Sequence, residues 1–159
     1  MTDPKRDLIR HTLATLAYRA EKTLRSAPPD FSTYSAGPGT RTPGEILAHV
    51  GALFDWAFWL CQGEHRWAAS APLPWDAEVD RFFAAIRRLD DRLASDTPLG
   101  CPVENLFQGP IADSLTHIGQ LAMLRRMAGT PVRGENYFRA DIVAGRVGPE
   151  QSSARVEFD

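Results

Sequence analysis

The amino-acid sequence predicts an all-α protein: a single-domain four-helix bundle with long loops between helices and an irregular C-terminal tail. Four segments repeat apolar residues with the 3.6-residue period of a helix, and no segment shows a strand pattern. A chain of 159 residues with 43% hydrophobic content suits one domain with a substantial core. We therefore assign residues 1–159 to one domain, with core helices at about 4–26, 43–62, 75–95 and 110–128 and a tail at 130–159.

The first two predicted helices have clear start signals. Pro4 follows Asp3, and proline suits the first helical position because the N–H there has no intrahelical partner. In "TPGE", Thr42 can cap the second helix, Pro43 takes the first position, and Glu45 stands where a capping box needs its return hydrogen bond. The intervening loop "APPDFSTYSAGPGTR" is long for a link between adjacent helices, so we expect it to cross the bundle or to cover part of it.

The other two helices are predicted from an apolar stripe and from helix boundaries. The third has the plainest amphipathic pattern, with an apolar stripe of Val79, Phe82, Phe83, Ile86, Leu89 and Leu93. The fourth begins near Pro110 and ends at Gly129, with Pro131 beyond, which is the proline-start and glycine-stop asymmetry of helices.

Composition limits the function classes. A net charge of -2 and a pI near 6.1 give no basic surplus for nucleic-acid binding. Cys61 and Cys101 form no disulfide framework, and the N-terminus lacks the apolar core of a signal peptide, which favours a cytoplasmic protein. The apolar run "ILAHVGALFDWAFWLC" includes His49 and Asp55 and is shorter than the ~20 residues of a membrane span, so it predicts a buried helix and no membrane partner.

Three side chains are candidate metal ligands. Asp113 and His117 are four residues apart, which places them on one helical face with Cβ atoms about 5–6 Å apart. His49 lies in the apolar stripe of the second helix and should point into the bundle, where sites are built from facing helices. Two imidazoles and one carboxylate with open coordination positions suit zinc, iron or nickel.

Structural explanations for the same residues remain open from the sequence alone. A histidine in an apolar stripe is often a hydrogen-bonded core residue. Asp113 in a first helical turn could serve the helix dipole, a contribution of roughly 0.3–1 kcal/mol. Asp113 and His117 could also form a simple ion pair, worth about 0.2–0.5 kcal/mol.

The stretches "LAHVGALFDW" and "DSLTHIGQLAMLRRMAG" resemble the DinB/YfiT-like family of metalloenzymes, which are small four-helix bundles. The resemblance spans most of the chain. It implies one histidine ligand from the second helix, at His49, and a pair from the fourth, of which the second stands before "IGQ", at His117. This chain departs from the family at Asp113, where the relatives carry histidine; aspartate is itself a competent ligand.

The resemblance further implies a homodimer and relatives that include thiol-dependent transferases and isomerases, so a low-molecular-weight thiol joins the divalent metal as an expected cosubstrate. It does not imply DNA binding. Four residues are candidates for supporting roles near the ion or a small-molecule substrate. Glu45 could be a base or only a helix cap, and Gln120 could donate to a metal-bound water or bond to a neighbouring helix. Tyr137 and Arg139 in the tail could fold over the site or simply cover the core.

Two function classes follow. In the first, the protein is a metalloenzyme in which the ion lowers the pKa of water or of a thiol, leading to thiol transfer or hydrolysis. In the second, it is a noncatalytic bundle that binds a small molecule or a protein partner, with a structural or vestigial metal site. The residues leave the catalytic groups, the substrate and the native metal unassigned.

Overall fold

The computed structural model describes residues 3–158, so residues 1, 2 and 159 of the predicted domain lie outside it. It confirms the all-α prediction. The long helices are α1 (Pro4–Leu24), α2 (Pro43–Cys61), α3 (Trp75–Ala94) and α5 (Ala112–Met127), and a single turn, α4 (Val103–Leu106), precedes α5. Short 3-10 turns lie at Phe31–Thr33 and Tyr137–Arg139. The long helices end within two residues of their predicted limits.

The helix boundaries form for the predicted reasons. The Asp3 side chain accepts a hydrogen bond from the Lys5 N–H at the start of α1. At α2 the capping box is complete: the Glu45 N–H donates to Thr42 Oγ1 at 3.3 Å, and the Thr42 N–H donates to Glu45 Oε2 at 2.7 Å. Gly63 then adopts a φ of 79° just beyond the end of α2, a conformation that favours glycine and terminates the helix.

The long helices form a closed ring of contacts. Helix α1 packs against α3 and α5, and α2 packs against the same two helices. Their facing sides bury a continuous core whose largest fully buried side chains include Leu13, Leu47, Phe54, Phe82 and Leu121. Phe31 from the long first loop joins this core and meets the Trp75 ring edge-on, at 5.4 Å between ring centroids. Within residues 3–158 no helix combines the length and the apolar character needed to cross a membrane.

The approach to α5 contains a kink beside the predicted proline start, and an additional helical turn precedes it. Helical structure already begins at α4 and continues into α5 through a π-helical turn, Phe107–Ile111. Within that turn Gly109 has non-helical angles, φ -93° and ψ -105°. The cause is Pro110, which lacks an N–H and disfavours the α conformation in the residue before it. The helical run is therefore broken at Gly109 and resumes at Pro110, where the sequence predicted the start of the last long helix.

The irregular tail is held against α1 by hydrogen bonds and ion pairs that are largely buried. An isolated antiparallel bridge pairs Glu135 with Glu157, so the two ends of the tail lie side by side. Glu135 Oε2 accepts a hydrogen bond from the Tyr18 hydroxyl at 2.9 Å, and Glu135 Oε1 accepts one from Lys22 Nζ at 3.0 Å. Lys22 Nζ also donates to Glu157 Oε1 at 3.0 Å. Burial, followed by the Glu135 carboxylate, raises the pKa of the Tyr18 hydroxyl well above its ordinary value.

The backbone contact between Gly63 and Gly100 predicts a substitution that should be poorly tolerated. A Cβ added at Gly100 would lie 2.1 Å from the Gly63 nitrogen and 2.3 Å from its Cα, and these backbone atoms cannot move without displacing the end of α2. We expect Gly100→Ala to destabilise the fold by about 1–3 kcal/mol, the usual cost of overpacking. Gly119→Ala is the matched control, because an added Cβ meets nothing within 4 Å in the middle of α5 and should be neutral or stabilising. Urea unfolding of both variants measures the difference, and equal stabilities would contradict the expectation.

Candidate metal centre

The structure brings the three predicted metal ligands together at the α2–α5 contact. His49 comes from the middle of α2, and Asp113 and His117 lie one turn apart on α5. One ligand atom from each residue can be chosen so that all three lie within 4.8 Å of one another. The His49 and His117 rings meet edge-on with their centroids 4.8 Å apart.

The individual distances fit a shared ion better than direct hydrogen bonds. His49 Nε2 lies 3.5 Å from Asp113 Oδ2, and His117 Nε2 lies 3.4 Å from Asp113 Oδ1. Hydrogen bonds of this type are usually about 2.7–3.2 Å long. Ligand bonds of about 2.0–2.2 Å in a tetrahedral shell place neighbouring donor atoms roughly 3.3–3.6 Å apart. The carboxylate therefore stands at ligand spacing from both imidazoles.

Gln120 holds the His117 ring in the orientation that a metal ligand needs. Its Oε1 lies 2.7 Å from His117 Nδ1. An amide oxygen only accepts, so this contact assigns the proton to Nδ1 and leaves the Nε2 lone pair directed toward His49 and Asp113. Metal-binding histidines commonly have their second nitrogen fixed in this way by an oxygen acceptor.

His49 is kept neutral by its surroundings. Partial burial lowers its pKa, the His117 and Arg41 charges act in the same direction, and the Asp113 carboxylate opposes them. The Trp67 ring meets the imidazole edge-on, with its centroid 5.6 Å from that of His49. Since only neutral imidazole coordinates a metal, these surroundings reduce competition from protons.

The backbone before α5 bears on the helix-dipole explanation for Asp113. Ile111, the residue before α5, has helical angles (φ -77°, ψ -48°), and the nearest non-helical residue is Gly109. Asp113 lies in the first turn of α5, so the dipole explanation stays open beside the ligand role. Its side chain is 46% exposed and lies beside the two imidazoles.

No family model, curated protein or solved structure matches the chain. The resemblance to the DinB/YfiT-like family therefore stays a prediction based on the two stretches of sequence quoted above. The geometry of the candidate centre is independent of that resemblance, because it follows from the positions of the side chains alone.

The other predicted residues are distributed over two regions. Glu45 completes the α2 capping box and also lines a cavity of about 250 Å³ with His49. Tyr137 packs instead on α1, where its ring meets Tyr18 edge-on at 6.2 Å and lies under the Arg19 guanidinium at 4.0 Å. Arg139, which follows in the same 3-10 turn, is exposed. Neither tail residue lines the described cavities that contain the three candidate ligands, so their predicted role in substrate selection stays a prediction.

Two residues near the centre were missed at the sequence level. Trp67 belongs to an exposed loop with no periodic pattern, and only the folded chain places it against His49. Arg41 immediately precedes the Thr42 cap and lines two cavities, one containing His117 and the other containing His49. The sequence spacing predicts neither position, because both residues lie in loops whose course depends on the folded chain.

Space for a substrate is available on several sides of the centre. A cavity of about 620 Å³ reaches His117 and Gln120, and one of about 440 Å³ reaches Asp113 beside Trp56. The Trp56 Nε1–H is buried without a hydrogen-bond acceptor among the described residues, so it is a spare donor near the second cavity. Volumes of about 300–1,000 Å³ are typical of small-molecule sites.

The lowered pKa of His49 predicts a specific pH dependence for the metal-free protein. The unfolded chain binds a proton at His49 near pH 6.5, whereas the folded chain resists it, so acid favours unfolding. The His49 contribution is complete above about pH 6.5 and declines as the pH falls toward its lowered folded value. Urea unfolding at pH 7.5 and pH 5 should show a smaller loss for His49→Gln than for the parent. His11→Gln, at an exposed histidine on α1, is the control, and an unchanged loss in His49→Gln would contradict the assignment.

Proposed function

We propose that the protein is a metal-dependent enzyme whose divalent ion is held by His49, Asp113 and His117. The observation that supports this most directly is the spacing of the Asp113 carboxylate, 3.5 Å from one imidazole and 3.4 Å from the other. Three protein ligands with a remaining coordination position are typical of catalytic sites, whereas structural zinc sites close the shell with four. The partial exposure of Asp113 and the adjacent cavities provide the access that such a site requires.

The donor set fits a divalent ion of the zinc, nickel or iron type. Such an ion, when bound, lowers the pKa of coordinated water or thiol and so supplies a nucleophile near neutral pH. In this arrangement His49 and His117 contribute neutral nitrogen donors, and the Asp113 carboxylate offsets part of the positive charge. Gln120 fixes the proton of His117 on Nδ1. The proposed reaction class is hydrolysis or thiol transfer on a small molecule by a homodimeric cytoplasmic protein.

Metal uptake by the purified protein tests the proposal. We expect zinc or nickel, added to metal-stripped protein at neutral pH, to stabilise the fold by about 2.7 kcal/mol at a free concentration one hundred times Kd. For a chain of this length that corresponds to roughly 5–11 °C in Tm. His49→Ala should lose the shift, and His11→Ala should keep it because His11 is exposed on α1. An unchanged Tm in the parent protein would rule out the metal centre.

Replacing zinc by cobalt distinguishes the two proposed reactions, hydrolysis and thiol transfer. If a thiol cosubstrate binds the ion, adding 2-mercaptoethanol to the cobalt-loaded protein should produce a sulfur-to-cobalt charge-transfer band in the near ultraviolet. Neither cysteine of the chain is expected to produce that band unaided. Cys61 is buried, which raises its pKa to about 12, and Cys101 is partly buried with a raised pKa as well. Absence of the band with added thiol would favour the hydrolytic branch.

A further inference from the structure

We infer that the substrate of this centre is a small amphipathic carboxylate, with its carboxylate bound by Arg41 and its apolar part in the cavity beside His117. The inference rests on the proposed function, since it concerns the ligand of the same metal centre. It adds the chemical class of the substrate and a specificity residue that the metal ligands themselves do not identify.

The first support is the composition of the 620 Å³ cavity. It lies between the loop that precedes α2 and one side of α5, and it reaches the metal centre at His117. Much of its wall is apolar, from Ile46, Met123 and Leu124. Met123 is 59% exposed, so it contributes apolar surface that a bound molecule can cover. Such a wall favours a ligand with an apolar portion, because burying both surfaces removes them from water.

The second support is the position of Arg41. Its side chain lines both the 620 Å³ cavity and the smaller one that contains His49, so it stands between the two approaches to the metal centre. No carboxylate among residues 3–158 forms an ion pair with it. The nearest acid of the smaller cavity, Glu45, already accepts a hydrogen bond from the Thr42 N–H at 2.7 Å.

Arginines at contacts between helices form ion pairs, whereas Arg41 lies in the loop before α2. Arg10 forms a two-point ion pair with Asp90 at 3.0 Å, and Arg88 pairs with Asp55 at 2.8 Å. The guanidinium group is a planar fork that matches a carboxylate in two parallel hydrogen bonds. Arg41 lines this cavity, and its guanidinium has no hydrogen-bond or ion-pair partner among residues 3–158.

The third support is the balance of charge. Two neutral imidazoles and one carboxylate leave a bound divalent ion with one net positive charge, Arg41 adds another, and the Glu45 carboxylate of the smaller cavity offsets one of the two. The remaining polar groups of the large cavity, Thr40, Thr116 and Gln120, are uncharged. A ligand that carries an anionic group would therefore offset a local excess of positive charge, whereas a cationic ligand would be repelled. A single guanidinium favours one carboxylate over a polyanion.

The test uses hexanoate as the probe and the methyl group of Met123 as the reporter. The chain has 3 methionines, and Met127 is exposed on α5 without lining this cavity, which makes it an internal control. Zinc content is measured first on the full-length protein labelled with ¹³C in the methionine methyl groups. Hexanoate is then titrated while the methyl resonances are followed. We expect the Met123 resonance to shift and the Met127 resonance to stay in place.

Variants of Arg41 decide whether the carboxylate is recognised as inferred. Arg41→Met should weaken hexanoate binding about tenfold or more, since hydrogen bonds to a charged group are lost, and Arg41→Lys should retain part of the affinity. Arg126→Met is the control on α5, at an exposed arginine that does not line this cavity, and it should bind hexanoate like the parent. Hexanamide, which lacks the charge, should bind the parent and Arg41→Met equally weakly.

The outcomes separate this inference from the proposed function. If the protein takes up no zinc, the proposed function fails and the inference fails with it. If zinc binds but hexanoate leaves Met123 unshifted, or binds Arg41→Met as tightly as the parent, the inference alone is overturned. Unchanged melting temperatures of the zinc-loaded variants exclude misfolding as the cause of any loss.

Discussion

Asp113→Asn is expected to remove most of the zinc affinity while leaving the fold nearly as stable as the parent. The amide keeps the size of the side chain but loses the negative charge that lies 3.5 Å and 3.4 Å from the two imidazole nitrogens. Loss of an outer partner of a ligand typically costs 10–100-fold, roughly, in metal affinity, and loss of a ligand itself should exceed this. Metal content after dialysis and the Tm of metal-free protein are the measurements.

Asp113→His provides the matched comparison. It restores three nitrogen donors, so we expect it to retain metal and to shift preference among zinc, nickel and iron, because imidazole and carboxylate differ in softness. If Asp113 served only the helix dipole, both variants would lose at most about 1 kcal/mol of stability. Metal content would then be equal in the parent and Asp113→Asn proteins, and that result would contradict a ligand role.

Lys22→Met is expected to destabilise the fold more than the replacement of an exposed lysine of α1. The Lys22 side chain is 8% exposed and donates to Glu135, whose side chain is fully buried. Methionine fills similar space but leaves a buried carboxylate whose remaining side-chain partner among residues 3–158 is the Tyr18 hydroxyl. Breaking a buried ion pair from one side typically costs about 3–5 kcal/mol. That corresponds to roughly 6–20 °C in Tm for a chain of this length.

Two controls separate burial from charge. Lys5 of the same helix pairs with Glu104, but both side chains are largely exposed, so Lys5→Met should cost far less stability than Lys22→Met. The double variant Lys22→Met with Glu135→Leu should recover much of the lost stability, because it removes the unpaired carboxylate. Thermal unfolding of these three proteins decides the matter, and a Lys22→Met protein as stable as Lys5→Met would contradict the expectation.

The fold was largely predictable because its signals are local. The apolar stripe of α3 and the capping box of α2 depend only on residues within a few positions of one another. The π-helical turn before α5 was not predicted, because Pro110 is as compatible with the first turn of a helix as with a kink inside one. The attachment of the tail also escaped prediction. Glu135 contacts Tyr18 although more than a hundred residues separate them in the sequence, and no local sequence pattern predicts such a contact.

The candidate metal centre likewise has parts that local sequence spacing predicts and parts that it does not. The pairing of Asp113 with His117 follows from helical geometry, and the inward direction of His49 follows from its apolar neighbours. The contact between His117 and Gln120 also lies within one helical turn. The placement of Arg41 and Trp67 depends on loops whose paths are determined by the whole fold. Sequence spacing could therefore indicate the ligands but not the residues that surround the space beside them.

The origin of the ligands on two different helices has a mechanical consequence. His49 lies on α2 and Asp113 and His117 on α5, with all of α3 between them in the chain. An ion bound by all three would act as a removable cross-link that ties residue 49 to residue 113 and closes a long loop. A cross-link of this kind restricts the unfolded chain and resists any opening that separates the two helices. Amide hydrogen exchange at the α2–α5 contact would then respond to the concentration of metal, whereas fraying at the outer ends of α1 and α3 would not.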